Sequence, residues 1–155
     1  MSIAAEIVET LTSRGESLSI AESLTGGALS SAIVDIPGAS HVLRGTVIAY
    51  ATEIKIRELA VPSDLIDSDG VVSESVALAM AEGVRSRMGT TWAISATGVA
   101  GPGAHDGTPA GTVWIAIIGP EVRESVKLAL DGDRSTVRRG AVESALGVFA
   151  RILRA

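Results

Sequence analysis

The sequence predicts an α/β domain: a three-layer α/β/α sandwich on a mixed, mostly parallel sheet of about five strands. Three observations carry that expectation. Short β-type runs alternate with segments of helical periodicity through most of the chain. Two late β-type runs are joined by Gly119-Pro120, as in an antiparallel hairpin. Of 155 residues, 46% are hydrophobic but only 3% aromatic, so Ala, Val, Ile and Leu must fill the core. A chain of this size can bury a full core, and without repeats or linker-like composition it reads as one domain, 1–155.

Each element has its own signal. Ser2 is placed to cap a first helix in which Ile3, Ile7, Val8 and Leu11 share a face, and Gly15 to end it. Ser17–Ala21 is apolar at alternate positions and bounded by turn residues, the pattern of a strand. Gly26–Val34 resumes helical spacing and stops before Pro37-Gly38. Gly45–Tyr50 is β-branched and nearly all apolar, which predicts a buried strand. Glu53–Leu59 makes a short helix closed by Pro62, and Ser63 caps a brief helical turn running to Gly70. Ser73–Met88 is a strong helix, with Val76, Met80, Val84 and Met88 four apart and Gly89 at its end. Thr91–Ala96 is a strand, followed by a long Gly/Pro loop to Ala110. Thr112–Ile118 and Val122–Leu130 form the hairpin. Asp133–Arg154 closes the chain as a helix with Val142, Leu146, Phe149 and Leu153 on one stripe.

Composition narrows the functions. A net charge of −5 and a pI near 5.0 disfavour a protein that grips nucleic acid through its phosphates. With no cysteine, disulfides, thiolate metal sites and cysteine nucleophiles are excluded. The two histidines, His41 and His105, lie far apart without ligand spacing and read as surface or loop residues, so no metal is expected. No apolar run reaches the ~18 residues of a membrane span. Met1–Thr10 is an acidic amphipathic pattern and not a leader, so the expected location is cytoplasmic. Ala-rich helices allow a homodimer or larger homo-oligomer without specifying an interface.

Three stretches can carry chemistry. The first is AESLTGG, Ala21–Gly27, which puts Ser23 at a strand-to-helix turn, where free helix N–H groups can stabilise negative charge. A serine needs a base. The chain has two lysines; Lys127 alternates with Val126 and Leu128 and should face solvent, which leaves Lys55 just beyond the second predicted strand. Burial or a nearby cation would lower its pKa toward neutrality. Tyr50, the only tyrosine, ends that strand and has a hydroxyl that can orient Lys55 or donate to a leaving amine. Spacing alone leaves a plainer account open, with Ser23 as a helix cap, Tyr50 packing its ring and Lys55 a solvated charge.

The second stretch is TGVAGPG, Thr97–Gly103. A dinucleotide-binding fingerprint leads from a strand into a helix, whereas this loop passes Pro102 and enters another strand, so that reading fails. A glycine loop can still wrap a phosphate with backbone N–H groups, with a hydroxyl added by Thr97; a flexible connection is the alternative. The third is GDRSTVRR, Gly132–Arg139. Arginine near a helix N-terminus opposes the helix dipole, so a bound anion would account for Arg134, with Arg138 one turn on; a plain surface charge is the alternative.

Taken in order, AESLTGG, the Tyr50–Lys55 pair, DGVVSESVALAMAEG, TGVAGPG, GTVWIAI and GDRSTVRR resemble the C-terminal domain family of the competence/damage-inducible protein CinA. The stand-alone members of that family are nicotinamide-nucleotide amidohydrolases. The resemblance runs from the first helix to the last. It implies hydrolysis of the carboxamide of nicotinamide mononucleotide to nicotinic acid mononucleotide and ammonia, with Ser23 as nucleophile and Lys55, aided by Tyr50, moving the protons. It further implies an oxyanion hole of backbone N–H groups around Thr25, Gly26 and Gly27. Thr97, Gly98, Gly101 and Gly103, with Arg134 or Arg138, would hold the ribose and phosphate. The partner is thus a small-molecule nucleotide, and no cofactor is implied. Three places depart from the family pattern: Leu24 stands where cysteine is common, Thr52 replaces an asparagine, and Ala104, Thr108 and Ala110 stand where Gly, Lys and Val are frequent. The rival expectations are a catalytically silent nucleotide-binding or assembly module and an amidase for another small amide.

Overall fold

A computed structural model describes residues 1–155. Helix α1 (Ile3–Arg14) opens on Ser2, whose hydroxyl accepts the Ala5 N–H, and closes on left-handed Gly15. Ile7, Val8 and Leu11 are buried, but Ile3 is 42% exposed and Ala4 takes the inward place in the first turn. Strand β1 (Leu18–Glu22) is buried along its whole length. Helix α2 (Ala28–Val34) starts two residues later than its spacing predicts, because Gly26 and Gly27 both have positive φ and belong to the preceding turn. A 3₁₀ turn at Ala39–His41 leads into β2 (Leu43–Ile48).

Strand β2 corrects the expectation of a buried strand. It pairs only with β1, lies at the sheet edge, and leaves Arg44 and Ile48 exposed. Then come α3 (Thr52–Leu59) and α4 (Ser63–Asp69). Pro62 occupies the cap position of α4, so Ser63 is its first helical residue and not its cap. Helix α5 (Glu74–Met88) is capped by the Ser73 side chain and ended by left-handed Gly89. Strands β3 (Trp92–Gly98), β4 (Thr112–Gly119) and β5 (Val122–Ala129) come next, and α6 (Arg134–Arg154) starts from an Asp133 cap. No helix is long and apolar enough to cross a membrane.

The five strands lie in the order β2-β1-β3-β4-β5. Strand β1 runs parallel to both β2 and β3, and β4 runs antiparallel to β3 and β5, so β4 alone is reversed. Alternate side chains feed two cores. On one face Ile20, Ile94 and Ile115 pack with Ile7 and Leu11 of α1, Leu29 of α2 and Phe149 of α6. On the other, the small side chains Ala21, Ala93 and Ala116 meet Met80 and Val84 of α5. Gly83 of α5 is a close-approach site: a Cβ there would run into the Leu59 carbonyl at the end of α3. Backbone thus meets backbone, and Lys55, one turn before Leu59, is fixed against the sheet.

This topology decides where a ligand can go. The chain leaves β1 for β2 through α2 on one face, then returns past β1 to β3 through α5 on the other. The winding direction reverses at β1, which opens a crevice outside the carboxyl ends of β1 and β3.

Candidate active site

Ser23 is the first residue beyond β1. Its N–H donates to the Ala96 carbonyl (3.0 Å), and the Ala49 N–H donates to the Glu22 carbonyl (2.8 Å), so neighbouring strands hold the chain up to the serine itself. The backbone then folds over, the Gly26 N–H donating to the Ser23 carbonyl at 3.1 Å. Beneath the turn lies the fully buried Glu22 carboxylate. One of its oxygens accepts the Gly27 and Leu29 N–H groups, the other the Ser30 N–H and hydroxyl. It thereby satisfies the otherwise free amides at the start of α2. Sequence reasoning assigns Glu22 no role; its position just before a helix start is the available signal.

The bonds of Glu22 correct the expected oxyanion hole. The Gly26 and Gly27 N–H groups are already engaged, with Ser23 and Glu22. The Leu24 and Thr25 N–H groups make no hydrogen bond to the protein, so the free donors after Ser23 sit one and two residues on from it. Of these two, Leu24 lines the cleft, whereas Thr25 is fully buried and outside its lining.

Lys55 lies on the inner face of α3 and is only 1% exposed. Its Nζ is 2.9 Å from Ser23 Oγ, 2.7 Å from the Ala49 carbonyl and 3.3 Å from the Tyr50 carbonyl. Nζ donates to all three oxygens; once neutral, it can keep both carbonyls with its two N–H groups and turn its lone pair to the serine proton. Burial lowers the Lys55 pKa from 10.5 to about 8, since the ammonium loses water that no anion replaces. The solvated-charge account of Lys55 is therefore wrong. Lys127 does project outward, its ammonium 5.9 Å from the Trp114 ring centre.

Tyr50 is placed differently from expectation. Its backbone carbonyl meets Lys55, whereas its hydroxyl accepts a hydrogen bond from Arg134 Nη2 (2.9 Å). Arg134 Nη1 donates to the Gly101 carbonyl (2.7 Å), so one guanidinium ties the β2–α3 turn to the glycine loop. Arg138 is also corrected. Its Nε donates to the Leu24 carbonyl (2.9 Å) and its Nη2 to the Thr25 carbonyl (3.0 Å), behind the nucleophile turn and outside the cleft.

The cleft in front of the turn has a volume of about 320 Å³, within the range of small-molecule sites. Ser23, Lys55, Thr97, Gly98, Gly101, Gly103 and Arg134 all line it, so the serine, lysine and glycine-loop expectations converge on one cavity. The Thr97 hydroxyl donates to the Val71 carbonyl at 3.3 Å. Ala100, Gly101 and Gly103 have N–H groups without protein partners, as a loop that receives an anion requires. The lining includes no aspartate or glutamate, in a protein of net charge −5; its ionisable side chains are Lys55, Arg134, His105 and Tyr50. Sequence reasoning missed the wall formed by Val71 and Val72 and the approach of His105, which is an exposed loop residue as expected but lies at the cleft. The only signal for the wall was two valines just before the α5 cap.

A family model described as the CinA C-terminal domain matches residues 1–153. A CinA-like protein of Frankia casuarinae is 43% identical over 147 residues, covering 95% of this chain and 34% of that protein. One of Gemmatimonas aurantiaca is 47% identical over 151 residues, covering 96% and 35%. The chain thus spans about a third of the length of these relatives. Among solved structures, the competence damage-inducible protein A of Klebsiella pneumoniae superposes with a TM-score of 0.95 at 34% identity, covering 98% of this chain and 95% of that one. A competence/damage inducible protein of Agrobacterium tumefaciens gives 0.93 at 30% identity, covering 99% and 94%.

Proposed function

The chain belongs to the CinA C-terminal domain family, and from that premise we propose that it is a nicotinamide-nucleotide amidohydrolase, converting nicotinamide mononucleotide and water into nicotinic acid mononucleotide and ammonia. The observation that carries the reading is the 2.9 Å contact between Ser23 Oγ and the buried Nζ of Lys55. A lysine with a pKa near 8 has a useful neutral fraction at physiological pH, and its Nζ lies within proton-transfer distance of the hydroxyl it must deprotonate.

Ser23 Oγ attacks the carboxamide carbon as its proton passes to Lys55. The carbonyl oxygen becomes an oxyanion, with the Leu24 N–H group as its donor; one such donor is worth ~3 kcal/mol. The tetrahedral adduct collapses as the Lys55 ammonium returns a proton to the departing nitrogen, leaving ammonia and an ester on Ser23. Water then attacks the ester as Lys55 takes its proton. As the bond between Ser23 Oγ and the acyl carbon breaks, the Lys55 ammonium returns that proton to Oγ, releasing the acid and restoring both side chains. A mononucleotide suits the rest of the cleft, where Arg134 and the free N–H groups of the glycine loop offer positive ends and no carboxylate repels a phosphate.

The test is ammonia release by the purified protein from nicotinamide mononucleotide, with a chelator present. Release is expected, with free nicotinamide a far poorer substrate. Nucleotide binding without release would favour a silent binding module. Equal turnover of free nicotinamide would remove the phosphate role of Arg134 and the glycine loop.

A further inference from the structure

We propose that Arg138 is a positioning residue for the transition state, orienting the Leu24 amide from behind the nucleophile turn without touching substrate. The inference rests on the amidohydrolase reading. It starts from where the guanidinium goes: Nε donates to the Leu24 carbonyl at 2.9 Å and Nη2 to the Thr25 carbonyl at 3.0 Å, a fork over two successive peptide groups. Arg138 sits in the second turn of α6, 114 residues from Leu24 in sequence, and is only partly exposed.

Peptide planarity converts that grip into an orientation. In a trans peptide the carbonyl of one residue and the N–H of the next point in opposite directions. Arg138 draws the Leu24 carbonyl toward α6, so the Thr25 N–H faces the other side of the turn. The preceding peptide is fixed from within: the Ser23 carbonyl accepts the Gly26 N–H at 3.1 Å, so the Leu24 N–H faces away from the turn interior. Neither amide has a protein partner, but only Leu24 belongs to the cleft lining with Ser23; Thr25 is fully buried and Arg138 lies outside the cleft. Through the Thr25 carbonyl Arg138 fixes the Thr25–Gly26 peptide, whose N–H holds the Ser23 carbonyl and so aims the Leu24 N–H.

Besides Arg138, the turn itself is held by the Gly26 N–H on the Ser23 carbonyl (3.1 Å) and the Ala28 N–H on the Thr25 carbonyl (3.0 Å). Glu22 anchors the chain on its far side, from Gly27 to Ser30, and strand pairing anchors the chain up to Ser23. Between them, Gly26 has φ 60 and Gly27 φ 103, a backbone that could otherwise rotate its peptides at low cost. Without the Arg138 anchor the Thr25–Gly26 peptide could turn, releasing the Ser23 carbonyl and with it the Leu24 N–H. Lysine cannot reproduce the fork, because its ammonium is a point charge on a flexible stem.

The experiment compares wild type, Arg138→Ala and Arg138→Lys in ammonia release from nicotinamide mononucleotide, together with the rate at which a fluorophosphonate labels Ser23. Arg138→Ala should lower kcat about 100-fold, or 2.7 kcal/mol on the barrier, with KM within about twofold. Labelling should slow in parallel. Arg138→Lys should fall between the two. Added methylguanidine should partly restore Arg138→Ala and leave wild type unchanged. Should Arg138→Ala fail to fold, the kcat-against-KM split in Arg138→Lys decides. Unchanged kcat in a folded variant, or a loss confined to KM, overturns the inference while leaving the amidohydrolase reading intact. A wild type that neither releases ammonia nor takes the label defeats that reading, and the inference falls with it.

Discussion

Ammonia release should depend on pH through one group, Lys55, inflecting near pH 8. Burial alone brings the pKa from 10.5 to about 8. At pH 7 about one molecule in ten then carries a neutral lysine, against about one in 3,000 for an unperturbed side chain. The fold therefore supplies roughly 300 times more active base at neutrality. Below pH 8, kcat/KM should rise about tenfold per unit and then level off. Because desolvation and no neighbouring charge causes the shift, 1 M salt should barely move the inflection.

Stability depends on the same group with a definite sign. Unfolding restores the usual 10.5, so between about pH 8 and 10.5 the unfolded chain binds a proton that the folded one does not, and stability rises with pH across that window. Below about pH 8 both states are protonated, and the cost of the buried charge, about 3 kcal/mol, is present in full. The assays are kcat/KM from pH 6 to 10 and urea unfolding from pH 7 to 11, each repeated on Lys55→Met. That variant should lose ammonia release and the rise in stability together. An activity inflection near 10.5, or a pH-independent rate, would refute the assignment of Lys55 as base.

Three further outcomes are open to direct measurement. Ser23→Ala should lower kcat by about 10⁴-fold or more while circular dichroism and the thermal midpoint stay close to wild type; retained turnover would move the nucleophile elsewhere. Arg134→Ala should raise KM for nicotinamide mononucleotide about tenfold and leave nicotinamide riboside, which lacks the phosphate, nearly unaffected. Glu22→Gln replaces one of two oxygens that together accept four hydrogen bonds with an amide that can only donate. It should cost about 1–3 kcal/mol, seen as a lower urea midpoint, and an unchanged midpoint would mean the Glu22 cap contributes little.

The fold was legible because its signals are local. Helical periodicity, the Ser2, Ser73 and Asp133 caps, the Gly15 and Gly89 stops and the hairpin signal, whose turn the structure puts at Pro120-Glu121 and not at Gly119-Pro120, each act within a few residues. The same reasoning misjudged β2, since an apolar β-branched run does not reveal that its strand has a neighbour on one side only. It also began α2 at Gly26, because spacing cannot tell helical glycines from glycines of positive φ in a turn.

The site was legible to the extent that its chemistry is scarce. With no cysteine and two lysines, elimination made Lys55 the leading base for Ser23, and the family resemblance, not spacing, favoured the pair; Lys55 shares the inner face of α3 with Leu59, four residues on. The sequence by itself thus determined the α/β architecture, the motifs that mark the family and the short list of reactive groups. Tertiary structure alone decided what each group contacts. It buried Lys55 against Ser23, tied the Tyr50 hydroxyl to Arg134 and not to Lys55, engaged the Gly26 and Gly27 amides with Ser23 and Glu22, and placed Arg138 behind the turn and outside the cleft. The physical reason is that periodicity and capping are set over a few neighbouring residues. A pKa depends on how much water packing removes, and a hydrogen-bond partner on which atoms the fold brings within about 3 Å across more than a hundred residues of chain.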